Sequence, residues 1–104
     1  MRAERFAVNL PVRYRPVGDA TWRRGRTENI SYSGVLFRAE DLLQVDTRIE
    51  LRVVLPVEIV EDRPEVLCQA RIVRTVSPTP MDARPGLAVR IEEYRFMRQR
   101  WASA

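Results

Sequence analysis

Residues 6–15 read Phe-Ala-Val-Asn-Leu-Pro-Val-Arg-Tyr-Arg, and an apolar side chain occupies every second position. A period of two is typical of a β-strand with one buried face. Pro11 has no N–H to donate to a neighbouring strand, which indicates an edge or a bulge at that position. The stretch therefore predicts a half-buried strand whose core face carries Phe6, Val8, Leu10, Val12 and Tyr14.

The rest of the chain continues in the same manner, with short apolar runs separated by turn residues such as Gly18-Asp19 and Pro85-Gly86. Six short strands joined by turns favour an antiparallel β-barrel, which closes on itself and so removes the exposed edges of the sheet. We predict an all-β fold, a six-stranded antiparallel β-barrel, whose other five strands cover residues 21–28, 34–38, 49–55, 66–76 and 87–91.

Near the C-terminus the apolar spacing changes. Tyr94, Met97 and Trp101 follow one another at intervals of three and four residues, with arginines between them. That spacing predicts a short amphipathic α-helix over residues 93–101 that packs on the barrel. The length of 104 residues suits one domain over residues 1–104, and the sequence shows no internal repeat, linker or low-complexity tract.

The composition excludes several kinds of catalytic site. The net charge is +4, every basic residue is arginine, and there is no histidine or lysine. Histidine-based triads, histidine metal sites and lysine Schiff bases are therefore excluded. Cys68 is the single cysteine, which rules out an internal disulfide and a zinc cluster, and it is expected to be a buried apolar side chain. We predict a protein that is not an enzyme, has no catalytic or metal-binding residues and no cofactor, has no membrane span or signal peptide, and resides in the cytoplasm.

A polar turn, Asn29-Ile30-Ser31-Tyr32-Ser33-Gly34, separates the second and third predicted strands. If the first two strands pair as a hairpin, Arg2 and Arg5, which precede the first strand, lie beside this turn. Two guanidinium groups next to small polar side chains and a glycine would suit a flat, anionic ligand at one mouth of the barrel. The plainer interpretation of such a turn is a solvated loop.

These residues resemble the motifs of the PilZ domain, a bacterial receptor module for cyclic di-GMP. The family's second motif, Asp/Asn-x-Ser-x-x-Gly, is complete here at residues 29–34, and the flanking stretches 9–14, 34–37 and 86–89 are also similar. The resemblance covers essentially the whole chain. It implies a six-stranded barrel with a C-terminal helix, in agreement with the strand count made from the residues alone.

The family's first motif, Arg-x-x-x-Arg ahead of the first strand, is only partly matched. Arg5 takes the place of the second arginine, whereas Met1 stands at the position of the first, and Arg2 lies three residues before Arg5 instead of four. Three explanations remain open: Arg2 reaches the ligand from a shifted position, the gene starts upstream of Met1, or the domain is a degenerate member that does not bind the nucleotide.

The resemblance implies a binding module that performs no chemistry. Arg2 and Arg5 would hold phosphates and guanine edges, Asn29 and Ser31 would bond a guanine or a phosphate, and Gly34 would allow close approach of the backbone. Cyclic di-GMP would order the flexible ligand-binding arm, residues 1–5, and so signal to a protein partner, with the chain as a monomer or a homodimer. The alternative is an adaptor of motility or secretion machinery that ignores the nucleotide.

A basic β-barrel that binds RNA or single-stranded DNA is a further possibility. Such modules need exposed aromatic side chains on which bases stack. Here Phe6 and Tyr14 are expected on the core face, and acidic residues are spread through the chain. These features disfavour a nucleic acid polymer as the partner.

Overall fold

The computed structural model of the protein describes residues 4–55 and 64–98. Within them the chain forms strands and connecting turns, and no segment is a helix long and apolar enough to cross a membrane. The strands are β1 (Phe6–Ala7), β2 (Pro11–Pro16), β3 (Arg23–Ile30), β4 (Gly34–Ala39), β5 (Arg48–Val54), β6 (Pro64–Val76) and β7 (Gly86–Arg98).

Six of these strands close into an antiparallel barrel. The order around the barrel is β3-β2-β5-β6-β7-β4, and β4 then pairs with β3 to complete the circle. The predicted six-stranded antiparallel barrel is thereby confirmed. The extra strand, β1, pairs with the last residues of β3, beyond the part of β3 that pairs with β2.

The predicted first strand is divided in two, because the chain leaves the ladder between Ala7 and Pro11. The buried side chain of Thr27 satisfies the backbone at this break: its hydroxyl accepts a hydrogen bond from the Leu10 N–H at 2.8 Å and donates one to the Val8 carbonyl. The break also changes the orientation of Phe6, which is 61% exposed. Its predicted place on the core face is therefore wrong.

The barrel interior is filled by the inward residues of each strand. Tyr14 and Phe37 are its largest side chains, and their rings lie 5.0 Å apart. The Tyr14 hydroxyl donates to the Asp41 carbonyl and accepts from the Asp41 N–H, which fixes the chain after β4 to the core. Cys68 is buried as expected, and this burial raises the pKa of its thiol to about 11.

The helix predicted over residues 93–101 is wrong for residues 93–98, which continue β7 in antiparallel pairing with β6; the remainder lies outside the described residues. The pairing of residues 64–69 with residues 93–98 keeps this part of β7 extended. Tyr94 and Phe96, two residues apart, share one face of the strand, and their ring centroids lie 6.2 Å apart. A β-bulge precedes them: Gln69 pairs with Glu93 and Ala70 pairs with Ile91, so Glu92 is an extra residue on β7.

Candidate functional site

The pairing of β1 with β3 decides where the N-terminal arginine lies. Phe6 is opposite Ile30 and Ala7 is opposite Asn29, so the chain that precedes β1 runs alongside the turn that follows β3. Arg5 consequently lies at the same end of the barrel as Ser31. Arg2, the other predicted arginine, lies outside the described residues.

A cleft of about 480 Å³ opens at this place, against the outer wall of the barrel. It brings together four of the five predicted site residues: Arg5, Asn29, Ser31 and Gly34. Its floor is formed by Leu36 and Ala88, which are paired across β4 and β7 and alternate with residues of the core. Among the described residues that line the cleft there is no aspartate or glutamate, so its charge is wholly positive.

The hydroxyl of Ser31 shapes the turn between β3 and β4. It accepts hydrogen bonds from the Gly34 N–H at 3.1 Å and the Ser33 N–H at 3.3 Å, while the Ser31 N–H donates to the Gly34 carbonyl at 2.8 Å. The Ser33 carbonyl in turn accepts from the Ile91 N–H, which ties the turn to β7. These bonds hold the polar rim of the cleft in one conformation.

Gly34 is required by a neighbouring strand. A Cβ built on Gly34 would lie 2.8 Å from the Val89 carbonyl oxygen of β7, a distance that side-chain carbons do not adopt. Gly34 and Arg90 are directly paired across these strands. The absent side chain therefore lets β7 come close to the turn.

Two β-bulges turn polar side chains out of the core and toward the cleft. In β3, Thr27 pairs with Phe37 and Asn29 pairs with Leu36, which leaves Glu28 as an extra residue. Thr27 is buried, and without the extra residue Asn29 would share its inward orientation. In β6, Val73 is the extra residue, and the bulge has the same effect on Arg74, which follows the buried Ile72.

Arg74 and Arg90 line the cleft and were missed by the sequence analysis. Both lie on strands far along the chain from Arg5, and no motif distinguishes them from the other arginines. The pairing of β6 with β7 and of β7 with β4 brings them to the cleft. The sequence holds one indication of Arg74, which is recognised only once the strand is known. Regular alternation along β6 would place this charged residue on the inward face, two positions after Ile72.

The turn that borders the cleft also borders a second opening, which is apolar. This opening of about 370 Å³ lies at the end of the barrel, is lined by Tyr94 and Phe96 among others, and shares Ser31 and Val35 with the cleft. Tyr32, at the tip of the turn, is 77% exposed. Within the part of the chain that is described, no three Cys, Asp or Glu side chains come together as metal ligands would.

The chain is similar to known proteins in both sequence and fold. A family model, the PilZ domain, matches residues 1–95. A solved structure of MotI/DgrA, the inhibitor of motility of Bacillus subtilis, has the same fold with a TM-score of 0.75 at 18% sequence identity. The match covers 91% of this chain and 44% of MotI/DgrA, so the chain spans less than half the length of that protein. A search of curated proteins finds no match.

Proposed function

This chain belongs to the PilZ domain family, a family of cyclic di-GMP receptors, and on that premise we propose that it binds cyclic di-GMP in the cleft beside Arg5. PilZ domains are binding modules, not enzymes. The observation that carries the proposal is the convergence of Arg5 with the complete motif of residues 29–34 in a cleft whose described lining contains no carboxylate.

Each predicted residue has a role suited to its chemistry. The Arg5 guanidinium offers a planar set of donors that matches a phosphate or the O6 and N7 atoms of guanine. The Asn29 side chain, turned outward by the bulge at Glu28, offers both a donor and an acceptor to a guanine edge. Ser31 and Gly34 hold the rim in place, and Ser31 also lines the cleft, where its hydroxyl would bond a guanine or a phosphate.

Binding changes the conformation of the N-terminal arm, residues 1–5. Among the described residues, the Arg5 side chain has no ion-pair or hydrogen-bond partner, and it is exposed. It can therefore change conformation and fold over a ligand. Arg2 lies outside the described residues; it stands one residue away from the family's spacing, and a long arginine side chain on the arm would offset that shift. A ligand that bonds both arginines shifts the population of arm conformations toward the closed one.

The signal passes to a protein partner through the turn between β3 and β4. This turn has the cleft on one side and the apolar opening on the other, with Ser31 and Val35 in contact with both. A ligand in the cleft therefore lies against the same turn that presents the exposed Tyr32 to a partner. MotI/DgrA is an inhibitor of motility, which makes components of motility machinery the first partners to examine.

Calorimetric titration with cyclic di-GMP tests the proposal. We expect saturable heat and a raised melting temperature, since a ligand that binds only the folded state stabilises it. Neither heat nor a melting shift at ligand concentrations of about 100 µM, the weak limit of useful affinity, would overturn the proposal.

The alternative function is that of an adaptor that does not bind the nucleotide. Met1 stands where the family has its first arginine, and this departure is the specific observation in its favour. The adaptor requires a protein partner whose binding is the same with and without cyclic di-GMP. Capture of one partner under both conditions, compared by quantitative pull-down, separates the two functions.

A further inference from the structure

The geometry points to Arg74 and Arg90 as a second cationic wall of the cleft, and we propose that this wall binds the side of the dinucleotide that faces away from Arg5. This inference rests on the proposed function. Neither arginine belongs to a motif of the sequence, and each is placed by a different strand.

The positions of these arginines follow from the strand register. Arg74 pairs with Ala88, Ala88 with Leu36, and Leu36 with Asn29, which makes one row across four strands. Three interstrand spacings of about 4.8 Å separate Arg74 from Asn29 by roughly 14 Å along the curved wall of the barrel. Arg90 lies two residues beyond Ala88 on β7, next to Gly34. The cleft therefore has cationic side chains on opposite sides and a small apolar floor between them.

The local chemistry distinguishes these arginines from most of the other described arginines. Seven arginines form ion pairs with carboxylates elsewhere among the described residues: Arg15, Arg23, Arg38, Arg48, Arg52, Arg71 and Arg84. Arg5, Arg74 and Arg90 all line the same cleft, and within residues 4–55 and 64–98 they form no ion pair with a carboxylate. Like charges gathered without counter-charges repel one another, and an anionic ligand relieves that repulsion.

The bulge at Val73 supplies an independent argument. Bulges occur next to functional sites, where they redirect a side chain. Here the extra residue sends Arg74 out to the cleft directly after the fully buried Ile72. The ligand class that fits is a dinucleotide with anionic or guanine groups on both sides, because one nucleotide held by Arg5 would leave the far wall unused.

Titration calorimetry with cyclic di-GMP on Arg74→Ala, Arg90→Ala and the double variant tests this inference. Arg13→Ala is the matched control, because Arg13 is also exposed and without an ion pair among the described residues but lies away from the cleft. Each single variant should weaken binding by about 10- to 100-fold, the loss expected for a charge-assisted hydrogen bond. Arg74→Lys should recover only part of the affinity, since lysine keeps the charge but lacks the planar fork.

The melting temperatures of the free variants should equal that of the wild type, which separates a binding role from a structural one. If the wild type binds and the double variant binds within about twofold of it, the wall arginines do not contact the ligand and this inference is overturned, while the proposed function stands. If the wild type itself does not bind, both fail.

Discussion

Phe6 and Ile30 are directly paired across β1 and β3, and this single register places the N-terminal arginine against the polar turn. The turn is built from a serine that accepts backbone N–H groups and a glycine that lets β7 approach. Arg5 directly precedes β1, a short strand that pairs with β3 beyond the part of β3 that pairs with β2. The proposed ligand site therefore depends on β1, and not on the barrel strands alone.

Arg5→Ala should abolish detectable binding of cyclic di-GMP. The substitution removes charge-assisted hydrogen bonds worth about 1.5–3 kcal/mol each. Arg2→Ala should weaken binding less, because Arg2 departs from the family spacing. Calorimetry measures both, with Arg13→Ala as the control that also removes one exposed arginine. Unchanged affinity in Arg5→Ala would contradict the assigned role.

Gly34→Ala should both destabilise the protein and impair binding. The new methyl group would meet the Val89 carbonyl, and backbone must move to make room, at a cost of about 1–3 kcal/mol. Gly25→Ala is the matched control, because its methyl group would meet the Arg38 carbonyl, away from the cleft. Denaturant unfolding should show a loss in both variants, whereas only Gly34→Ala should bind the nucleotide more weakly when both are folded.

Arg38→Ala should lower the free energy of unfolding by about 2–4 kcal/mol, since it removes a buried side chain together with the three hydrogen bonds that its charged group donates. Arg38 is 5% exposed; its Nε donates to Glu28 at 2.6 Å, and its Nη1 donates to the carbonyls of Ser77 and Arg84. These bonds tie β4 to the loop between β6 and β7. The exposed pair of Arg48 and Glu92 offers the comparison, and Arg48→Ala should cost at most about 0.5 kcal/mol. Equal losses in the two variants would be inconsistent with the structure.

Cys68 should react slowly with alkylating reagents in the folded protein at pH 8 and quickly after unfolding. Burial raises the pKa of its thiol from 9.0 to about 11, so the reactive thiolate is scarce in the native state. Because the folded state holds this proton more tightly, the stabilising contribution is complete below pH 9 and is lost as the pH rises toward 11. Labelling kinetics and unfolding curves over this range check both statements, and Cys68→Ala should show a weaker pH dependence.

The barrel could be predicted from the sequence because alternation and turn residues act locally. The core positions of Leu10, Val12 and Tyr14 follow from the period of two alone. The division of the first strand could not be predicted, since it depends on Thr27, a residue remote in the chain, which bonds the backbone on both sides of the break.

Bulges account for most of what the sequence did not show. An extra residue at Glu28 turned Asn29 outward, and an extra residue at Val73 hid the outward direction of Arg74. Bulge positions are set by pairing between strands, which a single sequence does not display. The motif at residues 29–34 could be recognised in the sequence because its residues are contiguous. The opposite wall of the cleft, Arg74 and Arg90, could not, because its residues come from two different strands.

Residue-resolved NMR titration with cyclic di-GMP tests most directly the claim that the nucleotide binds in the cleft beside Arg5. It starts from the free protein and identifies the residues whose signals change when the ligand is added. The account predicts that the amide signals of Arg5, of residues 29–34 and of Arg74 shift together with one affinity. The signals of Arg13 and Arg24, which do not line the cleft, should stay in place. No shifts at all, or shifts confined to residues outside the cleft, would contradict it.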